Sequence, residues 1–271
     1  MKNIWIMTWY TLREAMARKV FMFFLTISAV VIIIAALVLG LSDKASLSVN
    51  VSGANMQFAN PINFIEMMII SPLSGLCLLL AIFASASFVP IMLEKGNIDL
   101  LLSKPVSRDQ LLWGKYFGGI LVVLINIAFL VIGVWAIISI KFSYWDFSFL
   151  LIILVITFTF AVLYSIIVLL GVLSKGSTLG MMFAYFIYII LSPLLFIAKD
   201  KLLIYMQSDF LKSLIKGIYY VVPKTHELME QVMKQVASGN GIDNYQPILT
   251  SLAFLILTMG ITISIFRKKD F

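Results

Sequence analysis

The sequence predicts an all-α integral membrane protein with six transmembrane helices, an N-terminal interfacial amphipathic helix and both termini in the cytoplasm. Of its 271 residues, 62% are hydrophobic and 12% are charged, and the mean hydropathy is +1.05. An ordinary soluble domain is about 45–50% apolar and about 25% charged. So few charges cannot cover so much apolar surface in water. The lengths of the apolar runs and the placement of Lys and Arg supply two further observations.

Six apolar runs are long enough to cross a bilayer. A helical span needs about 20 apolar residues, because the hydrocarbon core is about 30 Å thick and an α-helix rises about 1.5 Å per residue. None of the runs alternates as a barrel strand does. The second and third exceed the required length, which predicts tilt or an extension beyond the bilayer. The predicted spans are Val20–Leu41, Phe64–Leu93, Leu111–Ile140, Phe147–Leu173, Thr178–Ala198 and Pro247–Phe266.

The basic residues predict the orientation. With both termini inside, twelve Lys and Arg lie on the inner side and eight on the outer side, six of these in the long segment 199–246. The two short outer loops carry one each, and short loops are where the positive-inside rule discriminates best. The net charge of +7 comes from short blocks between apolar runs. It therefore predicts contact with anionic lipid headgroups and no nucleic acid partner.

Residues 1–19 are predicted to form an amphipathic helix in the headgroup plane of the cytoplasmic leaflet. One stripe of this helix is apolar and rich in Trp, and the opposite stripe carries Glu14 and Arg18 as an i,i+4 pair. Met7 falls on the polar face and departs from the pattern. The alternative is a cytoplasmic extension of the first span. The apolar stripe consists of Trp5, Trp9, Leu12 and Met16, and the polar stripe of Asn3, Thr11, Glu14 and Arg18.

The two outer segments differ in length and content. Segment 42–61 is rich in Asn and Ser and is predicted to be an exposed connector. Segment 199–246 is too long for a simple turn, and Glu230 and Lys234 support a helix within it. We therefore expect short amphipathic helices on or in the outer leaflet. The apolar residues at helical spacing are Leu228, Met229, Val232, Met233 and Val236.

The spans lack the groups that ion-driven carriers use. Glu66 is the only acid inside a predicted span, near its outer end. A charge at the bilayer centre costs about 2.5–3.5 kcal/mol on insertion scales, so such residues are kept mainly for ion or proton pathways. An autonomous carrier or intramembrane enzyme is therefore disfavoured, and any energy for transport comes from elsewhere.

Motifs for soluble chemistry are also missing. The sequence has no Walker-type phosphate loop and no Ser/His/Asp set, its one histidine is His226, and its one cysteine is Cys77. The 14 methionines form no repeated Met-x-x-Met ladder and are interpreted as packing residues. The sequence therefore predicts no catalytic residue, no metal site and no cofactor.

The inner segment 94–110 between the second and third spans carries the most informative pattern. Gly96 or Asn97 can begin a short helix, and Pro105 ends it because the residue before a proline is disfavoured in helical geometry. Ser107 is positioned to cap the next helix, with Gln110 three residues beyond it. The short helix would carry an apolar knob of Ile98, Leu101 and Leu102.

This segment resembles the ABC-2 type permease family, whose corresponding segment reads approximately Glu-x-Gly-Thr-Leu-x-Leu-Leu-Leu-Ser-x-Pro-Val-Ser-Arg-x-x-Leu-Leu-x-Gly-Lys. Asn97 replaces the usual Thr, and Asp99 stands where the family is often basic. The overall layout also resembles the family, and within it a subgroup associated with multicopper enzyme maturation, although no metal-ligand cluster supports that subgroup. The matching residues are Glu94, Gly96, Leu101, Leu102, Ser103, Pro105, Val106, Ser107, Arg108, Gly114 and Lys115.

The resemblance implies one transmembrane permease domain, 1–271, in the bacterial inner membrane. It further implies a second permease subunit, with a homodimer expected, and a separate ABC ATPase subunit that docks on segment 94–110 and hydrolyses the ATP. The alternative is that this segment only anchors the loop at the membrane surface. The implied docking residues are Glu94, Gly96, Ile98, Asp99, Leu101, Leu102, Pro105 and Arg108.

The family also implies candidate residues for the pathway, because its first, second and fifth spans commonly form the dimer and substrate interface. Pro72, Pro90 and Pro193 could break these helices locally. The alternative function is a membrane anchor or mechanotransmission subunit that conducts no substrate and holds an extracytoplasmic partner at Leu228–Val236. The candidate lining residues are Ser71, Ser74, Ser85, Ser87, Tyr185, Tyr188 and Ser192.

Overall fold

A computed structural model describes residues 2–17, 19–41, 61–94, 96, 106–199, 209–237, 239 and 241–269. All regular secondary structure within these ranges is helical. The predicted connector 42–60 and most of segment 94–105 lie outside the described residues. The helices are α1 (Lys2–Ala17), α2 (Val20–Leu41), α3 (Pro61–Ser85), α4 (Phe88–Met92), α5 (Arg108–Phe142), α6 (Ile152–Ser174), α7 (Ser177–Ile197), α8 (Asp209–Val221), α9 (225–237) and α10 (Gln246–Lys268).

Five stretches of the described residues are long and apolar enough to cross a membrane. The number rises to six when α1 and α2, which meet at 69°, are counted together as one broken span. The bounds of α2 coincide with those predicted for the first span. The five stretches are Pro72–Met92, Arg108–Phe142, Ser148–Ser174, Ser177–Ile197 and Gln246–Lys268.

Helix α6 lies at the centre of the bundle. It packs against α3, α5, α7 and α10, and most of its side chains are buried. Aromatic rings fill its contact with α5: the Tyr116 and Tyr164 rings stack at 5.5 Å, and Phe160 and Tyr164 at 5.3 Å. The Tyr116 hydroxyl donates to the Ala161 carbonyl at 2.8 Å, so its polar end is satisfied within the apolar core.

Prolines mark two irregular places in the spans. The predicted second span is divided at Ala86–Ser87, and Pro90 lies in the first turn of α4, where its missing N–H would have no helical partner anyway. In α7, a π-helical turn at Phe186–Leu191 comes directly before Ser192 and Pro193. The prediction of local breaks is confirmed near Pro90 and Pro193, but it is wrong at Pro72, which lies inside the continuous helix α3.

Helix α9 confirms the helical spacing predicted in segment 199–246, but its apolar face has a different role. Leu228, Met229, Val232 and Met233 are buried, and α9 packs against α6 and the 3₁₀ turn Ser148–Leu151. This face is therefore part of the protein's own core. An extracytoplasmic partner at this helix would have to meet exposed residues such as Gln231 and Lys234.

Candidate coupling site

Three helix termini meet at one end of the bundle, where α5 begins and where α6 and α10 end. We call it the C-terminal end. The first turn of α5 has the predicted capping box: Gln110 N–H donates to Ser107 Oγ at 3.3 Å, and Ser107 N–H donates to Gln110 Oε1 at 3.2 Å. Asn3 Nδ2 of α1 also donates to Gln110 Oε1 at 3.2 Å. The capping box therefore connects α1 to the first turn of α5, shortly after Pro105 of the inner segment.

The start of α5 is bound to the end of α10. Arg108 Nη1 donates to the carbonyls of Lys269 at 2.7 Å and Arg267 at 3.3 Å, which the helix end leaves without helical partners. Asp109 accepts from Arg267 Nε at 2.9 Å in a two-pronged ion pair. Arg108, predicted as part of an ATPase clamp, thus has contacts within its own chain.

The segment after α10 reaches α6 as well. Lys269 Nζ donates to the carbonyls of Val172 and Leu173 in the last turn of α6. Lys175, which follows α6 in the left-handed conformation (φ 55°), lies close by. Burial lowers the pKa of Lys269, and repulsion from Lys175 lowers it further. One basic segment therefore links the ends of α6 and α10 to the start of α5.

Helix α1 packs closely on the first half of α5 because glycines on α5 allow it. A Cβ added to Gly114 would overlap Met7 Cβ, and one added to Gly118 would overlap Thr11. The Thr11 hydroxyl donates to the Met7 carbonyl at 2.9 Å, so its burial leaves no unsatisfied group. The predicted polar stripe is therefore the side of α1 that packs on α5: Met7 and Thr11 are 5% and 1% exposed, whereas Trp5 on the apolar stripe is 64% exposed.

A buried ion pair completes the contact between α1 and α5. Lys115 Nζ lies 2.5 Å from Glu14 Oε2, and the exposed fractions of the two side chains are 3% and 19%. The ammonium also lies 5.7 Å from the centroid of the Tyr10 ring. The i,i+4 spacing predicts a pair between Glu14 and Arg18, and Arg18 lies outside the described residues. The contact between Glu14 and Lys115 joins residues far apart in sequence, so only the folded chain reveals it.

Only part of the predicted docking segment can be placed. Glu94 is exposed, and Gly96 has φ +91°, a conformation that strongly favours glycine. The residues of the knob and turn, namely Ile98, Asp99, Leu101, Leu102 and Pro105, lie outside the described residues. Their assignment to ATPase docking stays a prediction.

Comparison with known proteins decides the family. A protein-family model described as "ABC-2 family transporter protein" matches residues 9–271. The chain belongs to the ABC-2 transporter family. The ABC-2 protein is thus a multi-pass membrane protein, in keeping with its long apolar helices. No curated protein matches its sequence.

The pathway residues predicted for the ABC-2 protein lie on α3, on α7 and beside α4. The Tyr185 hydroxyl donates to the Leu79 carbonyl at 2.9 Å and joins α7 to α3. A Cβ on Gly75 would lie 3.3 Å from the Tyr188 hydroxyl, so this tyrosine also lies at the α3–α7 contact. These two side chains pack within the subunit, and their role in a pathway stays a prediction.

The predicted serines occupy different environments. Ser74 and Ser85 are buried, and the Ser85 hydroxyl donates to the Ala81 carbonyl at 2.8 Å. Ser87 is half-buried beside the break before α4. Ser192 is buried and accepts from the His226 backbone N–H at 2.9 Å. The Ser71 side chain lies outside the described residues.

A charged cluster that the sequence did not predict lies at the opposite end of the bundle and is formed by Lys199, Tyr219, Lys224 and Glu227. Lys224 and Glu227 are 3% and 2% exposed. Lys224 and Glu227 lie three residues apart just before the predicted helical pattern at Leu228, which is consistent with a contact between them. Nothing local in the sequence, however, indicates that either charge is buried.

Proposed function

We propose that the ABC-2 protein is the membrane-spanning permease subunit of an exporter, and that a separate ABC ATPase subunit supplies the energy. The observation that carries the proposal is the continuity between the family motif and the bundle. The motif leads directly into α5, whose first two turns contact α10 through Arg108 and Asp109, and α1 through Gly114 and Lys115. A displacement of the motif by an ATPase would thus reach several helices at once.

The same contacts support six spans with both termini in the cytoplasm. The start of α5 and the ends of α6 and α10 lie together. This C-terminal end carries Arg267, Lys268 and Lys269, as the positive-inside rule expects of the cytoplasmic side. The α1 helix, with exposed Trp5 and Trp9, would lie at the same headgroup plane. A homodimer of such subunits completes the proposed transporter.

Leu101→Asp is expected to abolish co-purification of the ATPase with the tagged permease from membranes in mild detergent. A carboxylate on the predicted apolar knob would have to be desolvated against the ATPase surface, at a cost of several kcal/mol. Leu101→Met is the matched control, because it keeps the apolar volume and should retain the ATPase. Normal co-purification of the Leu101→Asp variant would show that the docking site is elsewhere.

Asp109→Arg is expected to lower the stimulation of ATPase activity by the permease several-fold, since it sets two cations together at the junction of α5 and α10. The exchanged variant Asp109→Arg/Arg267→Asp should restore the stimulation. Because Arg267 is exposed, little change in thermal stability is expected. Activity would be measured for the complex in proteoliposomes.

The control for this exchange is Glu230→Lys, in the exposed Glu230–Lys234 pair of α9 at the opposite end. It reverses one charge of a similar surface pair and should leave the ATPase activity unchanged. If Asp109→Arg behaves like this control, the α5–α10 ion pair has no part in coupling.

A further inference from the structure

Lys224 occupies an unusual position at the end of the bundle opposite the C-terminal end. It lies in the short link between α8 and α9 and is 3% exposed. Its backbone N–H donates to Ser251 Oγ of α10 at 3.1 Å, and the His226 N–H donates to Ser192 Oγ of α7 at 2.9 Å. These bonds hold the link between α7 and α10 and place the Lys224 side chain inside the protein.

The Lys224 ammonium has no hydrogen-bond acceptor among the described residues. Its Nζ lies 4.0 Å from the centroid of the Tyr219 ring and 5.1 Å from that of Tyr220. Cation–π attraction replaces part of the lost hydration, but the rings leave the N–H donors without an oxygen partner. Burial lowers the pKa of Lys224, opposed by attraction to Glu227. Within the part of the chain that the structure describes, the Lys224 ammonium is therefore a buried donor that lacks an acceptor.

The charges nearby show which kind of acceptor is missing. The Tyr219 hydroxyl donates to Glu227 Oε1 at 2.5 Å, and Lys199 Nζ donates to the Tyr219 oxygen at 3.0 Å. Glu227 is thus already hydrogen-bonded. Among the described residues of the cluster, Lys199 and Lys224 carry two positive charges against the single negative charge of Glu227, which leaves one excess positive charge. An anion would balance it.

A small cavity beside Lys224 can admit one atom of such an anion. Its volume is about 10 Å³, about the size of one water molecule or one oxygen atom. A larger anion would remain at the mouth with a single oxygen inside. The cavity is lined by Ser192, Leu195, Tyr219, Val222, Pro223, Lys224 and Glu227.

Helix α8 places this cavity near the membrane surface. Phe210 and Val221 are 74% and 68% exposed, whereas Lys212 and Lys216 lie on the opposite face of the helix. A helix with one exposed apolar face and one basic face lies in the headgroup region of a bilayer. Phosphate groups of phospholipids occupy the same depth.

We propose that the cluster is a phosphate-binding site, in which one phosphate oxygen enters the cavity and accepts a hydrogen bond from Lys224 Nζ. A phospholipid headgroup or free phosphate can supply this group, and the position beside α8 favours the lipid. The proposal does not depend on ATP coupling, because it concerns the opposite end of the bundle. Bound phosphate would lie against α7, α8 and α9, whose residues line the cavity.

The test measures the melting temperature of the purified full chain in detergent, titrated with phosphatidylglycerol, with diacylglycerol or with inorganic phosphate. Stabilisation by phosphatidylglycerol but not by the other two is the expected result. Equal stabilisation by inorganic phosphate would identify a free anion as the source. If neither phosphate compound stabilises the protein, the proposal is overturned and the cavity holds only water.

Variants test whether the bound group is at Lys224. Lys224→Met keeps most of the side-chain volume and should weaken binding at least about tenfold, the effect of removing one charge-assisted hydrogen bond. Lys234→Met, in the exposed Glu230–Lys234 pair of α9, should bind as wild type. Glu227→Gln removes the competing carboxylate and should tighten binding, which tests the site even if Lys224→Met fails to fold. Wild-type binding by Lys224→Met, or weaker binding by Glu227→Gln, would overturn the assignment.

Discussion

Glu14→Met is expected to destabilise the protein by about 3–5 kcal/mol, because it takes the Glu14 carboxylate away from the buried Lys115 ammonium. The Lys115 side chain is 3% exposed, and Glu14 Oε2 lies 2.5 Å from its Nζ. The Tyr10 ring, at 5.7 Å, replaces only a small part of this attraction. The free energy of unfolding, measured by denaturant titration in mixed micelles, checks the prediction.

The double variant Glu14→Met/Lys115→Met should recover most of the lost stability. Apolar residues of similar volume often replace a buried ion pair at little cost, whereas removal of one partner leaves an uncompensated charge. The control is Lys234→Met, which breaks the exposed pair with Glu230 and should cost at most about 1 kcal/mol. A Glu14→Met variant as stable as wild type would show that the ion pair does not hold α1 on α5.

Gly114→Ala is expected to destabilise the protein by about 1–3 kcal/mol, the usual cost of adding volume to a packed contact. The new methyl group would overlap Met7 Cβ and lie 3.3 Å from the Ile4 carbonyl oxygen. Helix α1 would have to move away from α5, which also lengthens the Glu14–Lys115 contact. The melting temperature in detergent measures the effect.

Gly260→Ala is the matched control for this substitution. Nothing lies within 4 Å of the added Cβ on α10, and Ala favours a helix over Gly by up to about 1 kcal/mol. The control variant should therefore be as stable as wild type or more stable. Equal behaviour of Gly114→Ala and Gly260→Ala would contradict the close packing of α1 on α5.

Helix α1 shows how far local patterns can be trusted. Periodicity predicts a helix over residues 1–19, and the structure has one at Lys2–Ala17. The same periodicity assigned Thr11 to a polar face, whereas Thr11 is buried against Gly118. Thr11 is buried and Trp5 is exposed because α5 covers one side of α1 and leaves the other side uncovered. The spacing of Gly114 and Gly118 on α5 indicates a face that a second helix can approach closely. It does not indicate that this second helix is α1.

The sequence by itself determined the membrane class, the apolar helices and the capping box at Ser107 and Gln110. These depend on composition and on hydrogen bonds between residues close in the chain, so local physics suffices. Only the tertiary structure decided the partners of Glu14, Asp109 and Lys224. Glu14 binds Lys115 and Asp109 binds Arg267, far away in sequence, and Lys224 is buried by helices that converge from separate segments. A charge's partner and its solvation are set by packing, because Coulomb attraction and burial depend on distance in space.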